Sequence, residues 1–169
     1  MLFPAGDLAG ANETWERMIR GSSVYPSVIS YNVMISGLCK CRRFTEALEL
    51  WSRMRKNERK MDLFTCSSLI HGLCELGNID GAESVFAEMI DTKVFPDVVV
   101  YNAMLNGYGR AGDIRRSFEL WELMGREGCR NIVSFNILMS TLFENGKVDE
   151  ASVLWKLLVE TELSADSAT

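Results

Sequence analysis

Residues 28–40 of the chain are VISYNVMISGLCK, and the same pattern returns three times further along. The matching stretches are LFTCSSLIHGLCELG from residue 63, VVVYNAMLNGYGRAG from residue 98 and IVSFNILMSTLFENG from residue 132. The offsets between the copies are 35, 35 and 34 residues. A period of this size is typical of arrays of small helical units that bury their apolar faces by stacking on one another.

Each copy begins with an apolar stripe at the spacing i, i+3, i+4 and i+7, which predicts a helix. In the first copy the stripe is Tyr31, Met34, Ile35 and Leu38. A second stripe of the same kind follows in every copy, so each repeat is predicted to be a helical hairpin. This second stripe contains an aromatic column that we expect to lie in the core between hairpins, namely Trp51, Phe86, Trp121 and Trp155.

Glycines and hydroxyl residues predict the limits of the first helix. Because a glycine inside a helix costs about 1 kcal/mol relative to alanine, its recurrence predicts a close approach of another helix at Gly37, Gly72 and Gly107. The helix is predicted to end in a left-handed residue at Gly77, Gly112 and Gly146, with Arg42 in that place in the first copy. The predicted N-terminal caps are Ser30, Thr65 and Ser134.

The period divides the chain into units of nearly equal length. We expect a partial repeat over residues 1–27 that contains only a second helix, then repeats over 28–62, 63–97, 98–131 and 132–166, and a tail over 167–169. Half a repeat at the beginning, with no obvious polar capping helix at either end, indicates either a piece of a longer array or a protein that needs neighbours to cover its ends.

Composition excludes several classes of protein. The 169 residues are 47% hydrophobic and 24% charged, which is typical of a globular protein, and the formal net charge of −5 advertises no general basic surface for nucleic acid. Five cysteines, an odd number, favour free thiols in a reducing compartment. No run approaches the roughly 20 apolar residues that span a bilayer.

Nothing in the sequence favours catalysis. His71 is the only histidine, which excludes a two-histidine metal site, and Cys39 and Cys41 point in different directions from a helix. We therefore expect no enzyme, no metal and no cofactor. The first 20 residues are too acidic for a transit peptide, and they lack the pattern of a secretory signal.

The segments YNVMISGLCK, YNAMLNGYGRAG and FNILMSTLFENGKVDEA, with Pro96 and Asp97 closing a unit, resemble pentatricopeptide repeats of the plain class. Tetratricopeptide repeats, the nearest confusable family, have 34 residues and a different pattern. The resemblance implies an all-α fold, a right-handed α-solenoid superhelix of 35-residue hairpins. Its first helices would line a concave groove that holds single-stranded RNA, one base per repeat.

The resemblance also implies which residues contact RNA. Those that would read the base are the fifth and last residues of each repeat, Asn32 with Asp62, Ser67 with Asp97, Asn102 with Asn131, and Asn136 with Asp166. Those that would sandwich the bases are Ile29, Phe64, Val99 and Val133, and those that would contact phosphates are Lys40 and Arg110. The bound sequence would be 5′-U-G-C/U-U-3′, and the family acts on transcripts of the mitochondrion or the chloroplast, of which the mitochondrion is slightly favoured.

The chemistry of these side chains agrees with that order of bases. An asparagine amide both donates and accepts, and a nearby carboxylate favours uracil, whose N3 carries a proton, over cytosine. Because Asn131 stands in place of a carboxylate and restores a donor, the third repeat is expected to favour cytosine. The small Ser67 leaves room for a purine, and Asp97 as an acceptor makes guanine the better fit.

Two alternatives stay open from the sequence. The asparagine column could merely support the first turn of each helix, a local role common for this residue. The array could also be a protein-binding scaffold, because concave helical arrays bind peptides as well as RNA and the net charge is negative.

Overall fold

The structure is a computed structural model that describes Trp15 and residues 26–56 and 62–156. All the regular structure in these residues is α-helical. Seven helices have defined ends: α1 Val28–Lys40, α2 Phe44–Lys56, α3 Leu63–Glu75, α4 Ile79–Asp91, α5 Val98–Arg110, α6 Ile114–Arg126 and α7 Ile132–Glu144. Residues 148–156 are also helical. None of the described helices is both long and apolar enough to cross a membrane.

The helices form hairpins within two compact parts of the chain, Met1–Pro96 and Asp97–Thr169. In the N-terminal part α1 packs on α2, α3 packs on α4, and the two first helices α1 and α3 pack on each other. In the C-terminal part α5 packs on α6 and on α7. Within each part, therefore, the first helices of consecutive repeats are neighbours.

The predicted apolar stripes form the core of these hairpins. Tyr31, Met34, Ile35 and Leu38 are all buried in α1. The second helix α2 buries Trp51 in the same way. Burying one such aliphatic or aromatic side chain contributes about 1.5–3 kcal/mol, so the core stabilises the hairpins mainly through these stripes.

The aromatic column is buried in only part of the chain. Trp51 and Trp121 are buried as predicted, but Trp155 is 54% exposed, so the prediction of a core position was wrong there. The Trp155 ring contacts Phe135 at 6.2 Å between ring centroids.

The turns within the hairpins follow the glycine prediction. Gly77, Gly112 and Gly146 have φ angles of 75°, 73° and 70°, in the left-handed region that glycine adopts easily. Arg42 takes the same conformation with φ 60°. The amide of Arg43 donates to the Leu38 carbonyl at 2.9 Å, as the residue after each glycine does in its own turn. The Arg42 turn is therefore built like the others, at the steric cost of a Cβ atom.

The caps of the first helices differ from the prediction. The side chain of Asp62 accepts a hydrogen bond from the Thr65 amide at 2.8 Å, and Ser27, Asp97 and Asn131 cap α1, α5 and α7 in the same way. The predicted caps at Ser30, Thr65 and Ser134 were wrong by three residues. The apolar stripe indicates where the helix becomes buried, and each helix begins almost one exposed turn earlier.

The glycines inside the first helices do not all mark a close approach. A methyl group at Gly72 would overlap the ring of Phe44, so the prediction holds in the second repeat. A methyl group at Gly37 would meet nothing within 4 Å, and the prediction was wrong there. Helices α5 and α7 also approach closely at Gly109, where an added Cβ would overlap the Thr141 hydroxyl.

Candidate functional site

The second residue of each first helix is a large apolar side chain that lies in solvent. Ile29, Phe64, Val99 and Val133 are 74%, 63%, 54% and 51% exposed. Each faces outward although its helix buries an apolar stripe, so core packing does not account for it. Exposed apolar groups that recur at one position are typical of a surface that binds an apolar partner.

The predicted base-reading residues lie three positions further along the same helices. Residues i and i+3 share one face of a helix, so Asn32 neighbours Ile29 and Asn136 neighbours Val133. Asn136 is exposed, and the equivalent side chains of the second and third repeats, Ser67 and Asn102, are half-buried. Asn32 is only 9% exposed, whereas we expected it to face an open groove.

Asn32 is held by the last residue of its own repeat. Its Nδ2 donates to Asp62 Oδ2 at 2.9 Å, while Asp62 Oδ1 accepts the hydrogen bond from Thr65 that caps α3. An ionised carboxylate only accepts hydrogen bonds, so the amide must point its nitrogen at Asp62. The remaining atom, Asn32 Oδ1, is buried and accepts no hydrogen bond from the described residues.

The third repeat has a different arrangement. Asn102 Oδ1 is also buried and finds no partner in the described part of the chain. The last residue, Asn131, caps α7 through a reciprocal pair of hydrogen bonds, both at 2.9 Å. The backbone amide of Ser134 donates to Asn131 Oδ1, and the backbone amide of Asn131 donates to Ser134 Oγ. Asn131 has no carboxylate with which to orient the Asn102 amide.

The other two predicted base-reading pairs are Ser67 with Asp97 and Asn136 with Asp166. Asp97 accepts a hydrogen bond from the Val100 amide at 3.0 Å and so caps α5, but it belongs to the C-terminal part of the chain and Ser67 to the N-terminal part. Asp166, the predicted partner of Asn136, lies outside the described residues.

A cleft between α5 and α7 brings the three predicted classes of site residue together. It has a volume of about 280 Å³, and its lining includes Arg110, Val133 and Asn136. These are a predicted phosphate contact, a sandwiching residue and a base-reading residue. The polar side chains of Asn106 and Ser140 line the same cleft, although the sequence did not single them out.

The positive charge of the site is local. Lys40 and Arg110 are the exposed last residues of α1 and α5. The corresponding residue of α3 is Glu75, which forms an ion pair with Arg42 at 3.5 Å and is partly neutralised by it. In the fourth repeat Glu144 lines the cleft beside Arg110. An anion would therefore find few unopposed cations here.

Two buried thiols are poorly suited to reaction. All five cysteines are free, and burial raises the pKa of Cys39 and of Cys66 from 9.0 to about 12. For Cys66, the negative charge of Asp62 is a second cause of this raised pKa, after burial. Within the described residues, no three His, Cys, Asp or Glu side chains are grouped so as to hold a metal ion.

The sequence matches the PPR repeat family over residues 26–75 and 96–130, and it matches the PPR repeat over residues 64–94 and 133–161. The chain belongs to the PPR repeat family. Its curated relatives include a pentatricopeptide repeat-containing protein of Arabidopsis thaliana that is 29% identical over 148 residues. That match covers 85% of this PPR chain and 26% of the relative, so the chain spans about a quarter of its length.

Other Arabidopsis thaliana PPR relatives carry an organelle in their names. One is named chloroplastic and is 24% identical over 92% of this chain and 28% of its own length. Another is named mitochondrial and is 26% identical over 80% of this chain and 24% of its own length.

Solved PPR structures share the fold. The pentatricopeptide repeat protein PPR10 from maize superposes with a TM-score of 0.76 at 21% identity, over 96% of this chain and 23% of PPR10. The PPR domain of Arabidopsis thaliana protein-only RNase P 1, solved in complex with tRNA, superposes with a TM-score of 0.72 at 15% identity, over 92% of this chain and 82% of that domain. The chain is thus an all-α helical-repeat solenoid.

Proposed function

We propose that this PPR chain binds single-stranded RNA in a sequence-specific way, with one base to each repeat. The observation that carries the proposal is the hydrogen bond from Asn32 to Asp62, after which the amide oxygen of Asn32 has no donor among the described residues. A buried acceptor with no donor costs about 1–3 kcal/mol, so a bound ligand that supplies a donor recovers that cost.

Uracil supplies the donor that Asn32 lacks. Its N3 carries a hydrogen, whereas N3 of cytosine is an acceptor and would face the Asn32 oxygen with two lone pairs opposed. Asp62 therefore selects uracil indirectly, because it occupies the amide nitrogen of Asn32. The oxygen is shielded in the free chain, so binding requires the amide edge to turn toward the exposed face that carries Ile29.

The third repeat accepts cytosine by the same logic. Asn131 stands where other repeats have aspartate, so no carboxylate at that position holds the Asn102 nitrogen away from the base. An amide nitrogen can donate to N3 of cytosine. With guanine at Ser67 and Asp97, and uracil at Asn136 and Asp166, the four repeats select 5′-U-G-C/U-U-3′.

The exposed apolar residues supply affinity. Ile29, Phe64, Val99 and Val133 can lie on the faces of bases, and stacking on an aromatic ring such as Phe64 contributes about 1–3 kcal/mol per base. Lys40 and Arg110 contact phosphates, which position the strand without reading its sequence.

The relatives support this proposal and extend it. PPR10 was solved in complex with an 18-nt psaJ RNA element, and in that form it superposes on 89% of this chain with a TM-score of 0.65 at 22% identity, over 22% of PPR10. Relatives named chloroplastic and mitochondrial favour an organelle as the place of action, and we propose a role there in the processing, stability, editing or translation of RNA. We propose that the described repeats recognise RNA and carry out no reaction on it.

The substitution Asp62→Asn tests how the first base is selected. Asparagine caps a helix as well as aspartate does, so the fold is retained. Its amide donates to the Asn32 oxygen, which turns the Asn32 nitrogen toward the base. We expect the wild-type chain to prefer UGCU over CGCU by about tenfold in fluorescence anisotropy, and the variant to reverse the order. An unchanged preference for UGCU would show that the pair does not read the base.

A protein-binding scaffold is the second candidate, and the exposed Phe95 favours it, because this aromatic ring is 80% exposed in the linker before α5. Labelled UGCU, its reversal UCGU, an adenine-only RNA, and acidic and basic peptides should be titrated in one assay. Tighter binding to UGCU than to UCGU supports RNA recognition and its polarity. Binding to a peptide but to none of the three RNAs would replace the proposal.

A further inference from the structure

The turn that ends the third repeat is one residue shorter than the turn that ends the second. Helices α6 and α7 are separated by residues 127–131, whereas α4 and α5 are separated by residues 92–97. Both turns begin alike, with a left-handed residue, Gly128 or Lys93, followed by a residue whose amide donates back to the preceding helix at 2.9 Å. The two turns differ only beyond that point.

Arg130 occupies the place where the turns diverge, and it is held on α6 by several contacts. Its Nε donates to the Trp121 carbonyl at 2.9 Å, and a terminal nitrogen meets Glu122 Oε1 at 3.2 Å. The guanidinium also lies over the Trp121 ring, 4.5 Å from its centroid. A cation over a tryptophan face is the most favourable arrangement of this kind.

Gly125 makes room for this clamp. A Cβ atom at Gly125 would lie 2.5 Å from Cζ of Arg130, so any other residue would displace the guanidinium. Trp121 in turn contacts Phe135 of α7, with 6.3 Å between the ring centroids. The side chain of Arg130 therefore ties the short turn to α6, and Trp121 beneath it packs on α7. Phe95, the residue at the corresponding point of the longer turn, is 80% exposed.

We infer that Arg130 is a positioning residue for base selection by the third repeat. It fastens the shortened turn so that Asn131, the next residue, reaches the base that Asn102 contacts despite the missing residue. The inference rests on the proposed RNA recognition, in which Asn131 is the last residue of that repeat. Arg130 itself touches α6 and contacts no base.

Two substitutions release the clamp by different routes. Arg130→Ala removes the guanidinium and its charge. Gly125→Ala keeps the charge but fills the space in which the guanidinium lies, and because alanine favours a helix more than glycine, α6 is retained. Arg130→Lys is the matched control for charge, since lysine has neither the planar stacking surface nor the fork of donors.

The measurement is the dissociation constant of the whole chain for UGCU and for RNAs with a purine at the third base, with changes at the first base as the reference. We expect all three variants to reduce an about tenfold preference at the third base to about twofold or less, while the preference at the first base is unchanged. Hydrogen exchange at the Ser134 amide, which Asn131 caps, should quicken in parallel.

The outcomes separate this inference from the function on which it rests. If the wild-type chain selects the third base and both Arg130→Ala and Gly125→Ala select it equally well, the positioning role is wrong and RNA recognition stands. If Arg130→Lys retains the preference that Arg130→Ala loses, Arg130 acts through its charge and the clamp is not the cause. If the wild-type chain distinguishes no RNA bases, the proposed function fails and the inference falls with it.

Discussion

Asp62 has two structural roles, one for each oxygen of its carboxylate. One oxygen caps α3 and the other orients Asn32. The recurrence of Asp or Asn at the ends of the repeats therefore has a reason in helix capping alone, and the sequence pattern by itself supports base recognition less than it first suggests. Capping does not explain why the oxygen of Asn32 has no hydrogen-bond donor among the described residues, and the proposed base contact accounts for that atom.

Asn32→Val is expected to separate stability from function at this residue. Valine has a similar size and removes the unpaired buried acceptor, so we expect the free energy of unfolding to change by less than about 1 kcal/mol, although Asp62 loses a donor. Binding of UGCU should weaken by about tenfold or more, since the contact with the first base is lost. Urea unfolding followed by circular dichroism and anisotropy on the same preparation measure both quantities.

Asn136→Val is the matched control at the exposed end of the same column, where no described partner holds the side chain. It should weaken RNA binding and leave the free energy of unfolding nearly unchanged. A loss of several kcal/mol of stability in Asn32→Val, with RNA affinity retained, would assign Asn32 to the core.

Among the elements, the helices and their packing faces could be predicted because burial imposes a period. Tyr31 and its partners in the stripe are buried as their spacing indicated. The helix starts were missed because the first turn, with Ile29 at its second position, faces solvent and carries no apolar period. The exposure of Trp155 and the clamp at Arg130 depend on which neighbours pack nearby, and the local sequence does not encode that.

The turns between paired helices give a prediction about stability. Arg42 adopts the left-handed conformation in which a Cβ atom costs roughly 1–2 kcal/mol, and Gly77 adopts it at the equivalent place in the second repeat. We expect Arg42→Gly to raise the free energy of unfolding by about 1 kcal/mol. The ion pair with Glu75 is exposed and contributes at most about 1 kcal/mol, so its loss offsets only part of the gain.

Gly77→Ala is the matched reverse change. A methyl group at Gly77 meets nothing within 4 Å, so its cost is that of the backbone conformation alone, about 1 kcal/mol of destabilisation. Urea unfolding measures both changes in stability, from the shift of the midpoint when the dependence of the free energy on urea concentration is unchanged. If Arg42→Gly were instead destabilising, the contacts of the Arg42 side chain would outweigh its backbone strain.

On the scale of the whole molecule, two buried thiols predict how stability depends on pH. The pKa values of Cys39 and Cys66 are raised to about 12, so the unfolded chain loses these protons first as the pH rises. The stability that the two protonated thiols contribute is fully present below about pH 9 and is lost as the pH rises from about 9 to 12. At pH 10.5 each thiol should cost about 2 kcal/mol of stability relative to pH 8.

The variant with both Cys39→Ala and Cys66→Ala serves as the control for the other groups that titrate in this range. Its stability should be lower than that of the wild type at pH 8, because cavities are created, but should fall less between pH 8 and 10.5. Urea unfolding at the two pH values gives the comparison. Parallel losses in the two proteins would mean that these thiols ionise in the folded state as readily as in the unfolded state.

The charge balance of the chain predicts a weak dependence of RNA affinity on salt. The net charge is −5, and the predicted phosphate contacts are two cations, Lys40 and Arg110. Each phosphate neutralised on a single strand contributes about −0.7 to the slope of log affinity against log salt concentration, so two contacts give a slope of about −1.4. Anisotropy titrations of UGCU between low and moderate potassium chloride measure it.

Removing one of these cations should change the slope and leave the base preference intact. Lys40→Gln is expected to reduce the slope to about −0.7 and to weaken UGCU and CGCU by the same factor, because a phosphate contact carries no sequence information. A wild-type slope of about −3 or steeper would require cations beyond these two, and Arg42, now paired with Glu75, would be the first to examine because the ion pair is exposed and easily exchanged.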